Sequence, residues 1–522
     1  MRTSVTRRGF LGAFSSLALA TPALCAAELT PYDFGAKGDG SDDTAAFNRA
    51  VQEAAQRRRP LMIPRGDFVL VPPSESRWGL RSNPAVPMHV CVDLPSNLTV
   101  VGRGGRVMTR TPDGFSGSSG ARFVLFGTGL NTRPGTLSNI SFEDLEIDFA
   151  EQFGTINPFT YAFGLTGVDN FQQRNLVLRS TGRRAGRGLL FQNGRGRQQI
   201  GCRHENMVQG HYIHYEWNPT IRDISFERLT ECMDWDGPSW GVDASALRFK
   251  NLLGEAQCID TAGGTDWNIH DITAENTGSI IFIYTKPLMW PTYLEWLNNP
   301  ADSMPTAYVI PERMTISRID ARNAGKAGEE TFRVANGRRR HYPEGISPPR
   351  DIVLRDVSVD GGYAANVNEC RGLTIERMRL RGMQVPHDSG TGAALSLRQS
   401  LTNAQTTRNS ELSGVVRDLT IENSAGIGLL VNAPSALTLS NVHVDGYNTR
   451  NSDRTRSGID IRNLDVKNGA VVLDNLNARG GVGANLTDIG VSVRPGAPPP
   501  SRLNVQGALT GSTPGARSVS LP

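Results

Sequence analysis

The stretch Ile221-Arg-Asp-Ile-Ser-Phe-Glu-Arg-Leu decides the fold, because much of the chain repeats its pattern. Apolar and polar residues alternate, a turn residue (Asn, Asp or Arg) follows, and a further apolar residue closes the run. Alternation of this kind indicates a half-buried β-strand. Similar runs begin at Leu137, Trp267, Arg313, Arg350, Arg371, Arg417 and Ala436.

The spacing of these runs indicates how the strands are arranged. Arg222 and Ala246 are 24 residues apart, Ala246 and Asn268 are 22 apart, and Arg350 and Arg371 are 21 apart. A period of roughly 20–25 residues with strand-type runs is typical of stacked coils that share one continuous core. A leucine-rich repeat would show its own consensus, and a sandwich would need hairpin turns. The sequence therefore predicts an all-β parallel β-helix.

A helix precedes the repeats. Asp42 or Asp43 is a good N-cap, and five apolar residues form one stripe behind it: Ala46, Phe47, Ala50, Val51 and Ala54. A solenoid must close its open end, and an amphipathic helix over the first coil does so.

The block that contains this helix begins Tyr32-Asp-Phe-Gly-Ala-Lys-Gly-Asp-Gly-Ser-Asp-Asp. It resembles the N-terminal signature of the pectate-lyase-like β-helix superfamily, which includes phage tailspikes and polygalacturonase-related proteins. The resemblance is specific over about residues 31–70, and the weaker repeat pattern extends it to about residue 480. It implies a right-handed β-helix that acts on or binds a polysaccharide. It does not fix the reaction, because one fold hosts many chemistries.

The first residues resemble a bacterial twin-arginine export signal. Arg7-Arg8-Gly-Phe-Leu precedes a short apolar stretch that ends in small residues at Ala26-Ala27. This pattern predicts a periplasmic or secreted protein. The predicted organisation is a signal peptide at 1–27, a cap and first coils at 28–135, a β-helix at 136–490 with an insertion at 286–311, and a Pro/Gly-rich tail at 491–522.

Composition excludes several classes of protein. The formal charge is +4 over 522 residues, and arginines are spread along the whole chain, so no concentrated basic face suggests nucleic-acid binding. No stretch reaches the ~20 apolar residues of a membrane span. The cysteines are too sparse for a disulfide scaffold and lack zinc-ligand spacing. Cys202, Cys232 and Cys258 are spaced by about one coil, which predicts a buried stack. The oligomeric state stays open.

Aromatic residues cluster in the middle of the chain, where six of the seven tryptophans lie between 217 and 296. Trp and Tyr suit the apolar faces of sugar rings, although packing inside the solenoid is the alternative. The 286–311 segment interrupts the repeat and could form a loop on a binding face. The predicted substrate contacts are Trp217, Trp235, Trp240, Tyr284, Trp290 and Arg333.

The same region holds the candidate catalytic groups. Hydrolysis of a glycosidic bond needs two carboxyl groups, whereas a lyase needs a base and a cation or arginine that neutralises a uronate. Asp234 and Asp236 have the i, i+2 spacing that places both on one face of a strand, as a catalytic pair, a Ca²⁺ site or a surface pair. The cofactor is otherwise unknown, with Ca²⁺ expected if the protein is a lyase. The predicted catalytic residues are Asp234, Asp236, Asp243, Asp260 and His214.

A comparison with polygalacturonase motifs limits the chemistry. Three stretches of this chain resemble polygalacturonase motifs in their placement: Pro238-Ser-Trp-Gly-Val-Asp, Glu255-Ala-Gln-Cys-Ile and Gly278-Ser-Ile. Phe332-Arg-Val-Ala is a fourth match and contributes Arg333. The carboxylates of that family fall here on Trp240, Ala256 and Gln257, which argues against its standard chemistry. The sequence therefore predicts an exported polysaccharide-cleaving enzyme, hydrolase or lyase. The alternative is a non-catalytic carbohydrate-binding or structural β-helix.

Overall fold

The computed structural model describes residues 28–73, 78–80, 83–111, 122–128, 135–150, 159–254, 257–285, 310–326, 329–335, 348–385, 392–399, 411–451, 457–464, 470–493 and 503–522. It shows the right-handed parallel β-helix with a short N-terminal capping helix that the sequence predicts.

The elements follow one another as short strands after an N-terminal helical part. A 3₁₀ helix (Pro31–Phe34) and one α-helix, α1 (Thr44–Arg57), precede most of them. The strands are β1 (Asp39–Asp42), β2 (Leu61–Leu70), β3 (Trp78–Leu80), β4 (Asn83–Asp93), β5 (Leu98–Thr109), β6 (Arg122–Gly127), β7 (Leu137–Glu143), β8 (Glu146–Asp148), β9 (Thr160–Thr166), β10 (Val168–Arg174), β11 (Val177–Arg179), β12 (Arg187–Arg195), β13 (Gln198–Ile200), β14 (Arg203–Glu205), β15 (Gln209–Trp217), β16 (Thr220–Glu227), β17 (Glu231–Trp235), β18 (Ser239–Trp240), β19 (Asp243–Lys250), β20 (Gln257–Thr261), β21 (Gly264–Thr277), β22 (Ser279–Tyr284), β23 (Glu312–Ala324), β24 (Phe332–Ala335), β25 (Arg350–Tyr363), β26 (Ala365–Asn368), β27 (Cys370–Gln384), β28 (Ala393–Arg398), β29 (Leu412–Glu422), β30 (Ile427–Asn432), β31 (Ala436–Asp445), β32 (Ser457–Leu464), β33 (Val471–Arg479), β34 (Thr487–Val493), β35 (Leu503–Val505), β36 (Leu509–Gly511) and β37 (Arg517–Ser520).

The strands pair in two long parallel rows. The front row runs β4, β6, β9, β12, β15, β17, β20, β22, β24, β26, β28, β30, β32, β34 and β37. The back row includes β16, β19, β21, β23, β25, β27, β29, β31 and β33. Each coil therefore contributes a front strand and a back strand, and neighbouring strands lie about 4.8 Å apart.

The corners of the coils are made by residues in the left-handed conformation, stacked from one coil to the next. Asn251, Asn276 and Asn323 form part of one such ladder, with φ between 51° and 52°. Asn276 donates to the side chain of Asn251 at 3.0 Å, and Asn323 donates to Asn276 at 3.2 Å. Asn tolerates this conformation better than most residues, which explains why the repeats turn where the sequence places Asn or Asp.

The core fills the space between the two rows and beneath α1. The predicted stripe of α1 is buried as one set: Ala46, Phe47, Ala50, Val51 and Ala54. The Asp42 carboxylate accepts from the Thr44 N–H at 2.9 Å, while Asp43 accepts from the backbone of Lys37 and Gly38. Burial of each large apolar side chain contributes roughly 1.5–3 kcal/mol, so the cap both seals and stabilises the first coil.

The described part of the tail packs on the last coils. β35 and β36 pair with β33, and β37 pairs with β34. The buried Asp488 carboxylate accepts from the Tyr447 hydroxyl at 2.9 Å and from the Thr513 N–H at 3.0 Å, which fastens this end. Within the described ranges, no helix has the length and apolar character needed to cross a membrane.

Candidate active site

The outer side of the front row carries a line of polar and aromatic side chains on successive coils. In the strand register, Tyr212 pairs with Asp234, Asp234 with Asp260, Asp260 with Phe282, and Phe282 with Arg333. The neighbours of Asp234 along the chain, Met233 and Trp235, belong to the core. Because side chains alternate along a strand, Asp234 faces outward.

Three carboxylates meet on this line. One oxygen from each of Glu231, Asp234 and Asp260 lies within 4.8 Å of the others, and we call these three residues the acidic cluster. Asp234 is 6% exposed and Asp260 is 7% exposed. Both aspartates are predicted from the sequence, whereas Glu231 is not.

Glu231 joins the cluster because the strand breaks its alternation. Cys232 and Met233 both point into the core, so two consecutive inward residues shift Glu231 to the outer side. The register skips Cys232, pairing Gln209 with Glu231 and then His211 with Met233. An i, i+3 pair would lie on opposite faces of a regular strand, which is why the sequence pattern concealed it.

Polar neighbours hold the Glu231 carboxylate in place. Gln209 donates to Glu231 at 2.6 Å and to Asp234 at 3.3 Å, and it accepts a hydrogen bond from Arg187. Burial raises the pKa of Glu231, Arg187 opposes that rise, and the charge of Asp236 adds to it. A carboxyl group with a raised pKa is suited to donate a proton.

Asp236 lies at the edge of the acidic cluster, just after β17 ends. The Tyr212 hydroxyl donates to Asp236 at 3.1 Å. The ring of His214 packs edge-on against Tyr212, with centroids 4.7 Å apart, and it is 3% exposed. Gly237 passes so close that an added Cβ would lie 3.0 Å from His214 Nδ1. The structure thus places the predicted Asp236 and His214 beside Asp234.

Aromatic residues and an arginine follow the cluster toward the C-terminus. Phe282 and Tyr284 stack with centroids 4.7 Å apart, and the Arg333 guanidinium lies 4.9 Å from the Phe282 ring centroid. Burial raises the pKa of Tyr284 well above its usual range, and the charges of Asp260, Asp236 and Asp234 raise it further. The predicted Tyr284 and Arg333 therefore line the same site, with Tyr284 protonated.

A similar arrangement precedes the cluster. The Arg187 guanidinium lies 5.0 Å from the Phe159 ring centroid and 5.7 Å from that of Tyr161. Arg122 donates to the Tyr161 hydroxyl at 3.1 Å and lies over Phe159 at 5.4 Å. The acidic cluster is therefore flanked along the row by arginines on aromatic rings.

The prediction for Asp243 needs correction. Asp243 starts β19 in the back row, where it pairs with Thr220 and Asn268 rather than with any member of the acidic cluster. Its half-exposed carboxylate accepts from Arg222 and, at 3.4 Å, from Asn268. This is a surface ion pair.

One of the predicted tryptophan contacts, Trp235, also needs correction. Trp235 is 0% exposed and donates to Glu216 inside the solenoid, so its ring cannot reach a polysaccharide. The regular alternation of β15 ends at Tyr215, whose φ is 57°. Beyond that bend, the Trp217 and Trp240 rings stack at 5.0 Å and 8°. The two rings cover one face of each other, and Arg195 lies over the Trp217 ring.

Other predictions fall outside the described residues. Trp290, most of the 286–311 insertion and the leader at 1–27 belong to this group. Lys250, the lysine nearest in sequence to the acidic cluster, is half-exposed in the back row and lies 3.9 Å from Glu275. The predicted cysteine stack is confirmed in part: Cys202, Cys232 and Cys258 are all buried, and Cys232 lies beside Cys258, but Cys202 lies in the back-row register with Ile224.

The acidic cluster could also hold a cation. Three carboxylate oxygens within 4.8 Å offer the hard ligands that Ca²⁺ prefers. Chemically, then, the site can move protons between buried carboxyl groups or bind a divalent ion beside an anionic sugar.

Comparisons with known proteins concern the fold. No family model and no curated protein matches the chain. Among solved structures, it is similar to the A-module of an Azotobacter vinelandii mannuronan C-5 epimerase (13% identity, 95% of this chain and 100% of that one, TM-score 0.43). It is also similar to the tailspike of Escherichia coli bacteriophage HK620, with 13% identity over 94% of this chain and 78% of that one and a TM-score of 0.43. A third similar structure is the iota-carrageenase of A. fortis, with 15% identity over 65% of this chain and 71% of that one and a TM-score of 0.36. These likenesses assign no role to any residue of this chain.

Proposed function

We propose that the protein is a glycoside hydrolase that cleaves a polysaccharide laid along the outer side of the front row. The observation that carries the proposal is the acidic cluster, three carboxyl groups gathered on one line between aromatic residues. Glycoside hydrolysis uses one carboxyl group as an acid and another as a base or nucleophile.

The environment of each carboxyl group suggests its role. Glu231, whose pKa is raised by burial, donates a proton to the oxygen of the leaving sugar. Asp234 and Asp260 face the same space, and one of them takes a proton from the attacking water or attacks the anomeric carbon itself. Tyr212 and Tyr284, both with raised pKa values, stay protonated and donate hydrogen bonds.

A second candidate is β-elimination assisted by a divalent cation. The same three carboxylates favour it, because they are a suitable set of oxygen ligands. Elimination also needs a deprotonated base, and the tyrosines and the lysine considered for that role favour hydrolysis instead. The pKa values of Tyr212 and Tyr284 are raised, and Lys250 lies in the back row.

The substrate that fits this line best is an acidic polysaccharide. Arg187 precedes the acidic cluster and Arg333 follows it, each over an aromatic ring. Stacking keeps a guanidinium fork in place, and such a fork matches a carboxylate or sulfate group. Negative groups on sugars to either side of the cleaved bond would meet these arginines.

The experiment that tests the proposal incubates the purified protein with acidic and neutral polysaccharides, with and without a chelator. It records new reducing ends together with the ultraviolet absorbance of unsaturated uronate. We expect reducing ends without absorbance, and no effect of the chelator. Asp260→Asn should abolish the signal, whereas Asp243→Asn, the matched change in the back row, should keep it.

Other outcomes decide between the alternatives. Absorbance that the chelator removes would replace hydrolysis by cation-assisted elimination. If a polysaccharide binds but no new reducing ends appear, the protein is a carbohydrate-binding protein and not a hydrolase.

Export is a separate proposal that rests on the leader at 1–27. Replacing Arg7 and Arg8 by lysine should retain the protein in the cytoplasm of a bacterial host, as fractionation would show. Unchanged export would contradict the twin-arginine assignment.

A further inference from the structure

The coil just before the acidic cluster has an unusual interior. Along the inner side of the front row, His211 stands where the next two coils place Met233 and Ile259. Neither ring nitrogen of His211 has a hydrogen-bond partner. This coil contributes five polar side chains that are each 0% exposed: Arg197, Gln199, His204, His211 and Glu216. Such groups are expensive to bury, so a purely apolar lining would serve the fold better.

An ion pair organises this interior. Arg197 donates to Glu216 twice, from Nε to Oε1 at 2.5 Å and from Nη2 to Oε2 at 3.1 Å. It also donates to Gln199 at 3.3 Å, and Gln199 continues to His204 at 3.2 Å. Buried ion pairs can often be replaced by apolar residues without loss of stability. The fold alone therefore gives no reason for this one.

The network ends directly behind the acidic cluster. Trp235 Nε1 donates to Glu216 Oε2 at 3.1 Å. Trp235 is the last residue of β17, and it stands between Asp234 and Asp236 in the chain. Asp236 follows the end of the strand, so the regular pairing with neighbouring strands does not fix it.

We propose that Arg197, Glu216 and Trp235 are positioning residues for the site. Arg197 holds Glu216, Glu216 holds the Trp235 indole on the inner side, and the indole sets where Asp234 and Asp236 stand on the outer side. The inference rests on the proposed function for its kinetic test, although the positions of the carboxyl groups can be measured without any activity.

The experiment compares Trp235→Phe with Trp267→Phe. Trp267 is also buried, packs against Trp235 at 4.8 Å and donates to the Ser239 carbonyl instead. We expect Trp235→Phe to lower kcat about 10-fold or more with little change in KM, because small displacements of catalytic groups are costly. Its crystal structure should show Asp236 moved away from Tyr212, with Trp267→Phe like the wild type.

Two results would overturn the inference. One is equal kcat values for the two variants with both aspartates unmoved. The other is wild-type kcat in Arg197→Met combined with Glu216→Leu, which removes both buried charges together and should still fold. If the wild-type protein cleaves nothing, the proposed function fails, and the crystal structures of the two Trp variants still decide the positioning.

Discussion

Two regions of the molecule gather aspartates and arginines, and they use them differently. At one corner of the back row, Arg318 pairs with Asp271 and Arg377 pairs with Asp356, all about half-exposed. We call these four residues the charged ladder. In the acidic cluster, by contrast, the aspartates are under 9% exposed and lie beside a glutamate.

The difference changes the acidity of the carboxyl groups. Hydrogen bonds from Arg318 and then His270 hold the pKa of Asp271 well below its usual range, and Arg377 lowers the pKa of Asp356. Burial raises the pKa of Glu231. Residue type alone therefore does not mark a site. Carboxyl groups become usable for proton transfer where the fold buries them together and burial raises a pKa.

The largest difference between the two regions should appear when one aspartate in each is changed to asparagine. We expect Asp234→Asn to lower kcat by about 10³-fold or more, because acid–base groups contribute about 10²–10⁴. Asp356→Asn should stay within about twofold, since that carboxylate only pairs with Arg377 on the surface. Initial rates of reducing-end release check both. Equal losses would show that the site has been misplaced.

Glu231→Gln should give the next largest effect, about 10²-fold on the polysaccharide. The loss should be much smaller on an aryl glycoside whose leaving group needs no proton. The raised pKa means that the protonated acid persists to higher pH than an ordinary glutamate, and that activity falls as pH rises through this pKa. The variant should lose this basic limb from its pH profile. If the basic limb remains in the Glu231→Gln profile, another residue is the general acid.

Much of this arrangement could be predicted from the sequence, and part could not. The β-helix and the α1 stripe followed from periodicity, because the alternation along strands and the coil period are visible in the amino-acid sequence. Asp234, Asp236, Asp260, His214, Tyr284 and Arg333 are indeed brought together. Glu231 was hidden by the consecutive inward residues Cys232 and Met233.

The direction of the residues after Tyr215 could not be predicted either. The positive φ of Tyr215 reverses the side that later residues face, so Glu216 enters the core and Trp217 leaves it. Such a bend has no reliable signal at a tyrosine, because left-handed positions usually hold Gly, Asn or Asp. Asp243 was close in sequence to the site but belongs to the other row, and sequence distance does not show which row a residue joins.

The arginines should give an intermediate effect. Arg187→Gln and Arg333→Gln should each weaken binding of an acidic polysaccharide about 10-fold, because hydrogen bonds to charged groups contribute about 1.5–3 kcal/mol. Binding of a neutral polysaccharide should not change. Arg195→Gln is the matched control, since Arg195 also lies over an aromatic ring, that of Trp217, away from the acidic cluster. Calorimetric titration distinguishes the three variants, and an equal loss in all would contradict the proposed substrate class.

The smallest effect should come from the charged ladder itself. Arg318→Gln should lower Tm by no more than about 2 °C at low salt, because exposed ion pairs contribute little. The difference should shrink further in about 1 M salt, which screens such pairs. Thermal unfolding at the two salt concentrations measures it. A large loss of activity in this variant would break the comparison between the two regions.

The most direct test of the central claim is a crystal structure of the Asp234→Asn variant with an oligosaccharide of the polysaccharide that the protein cleaves. We expect sugar rings along the outer side of the front row, against Phe282 and Tyr284, with a glycosidic oxygen within hydrogen-bond distance of Glu231. An oligosaccharide bound on the back row, with the acidic cluster free of sugar, would contradict this claim.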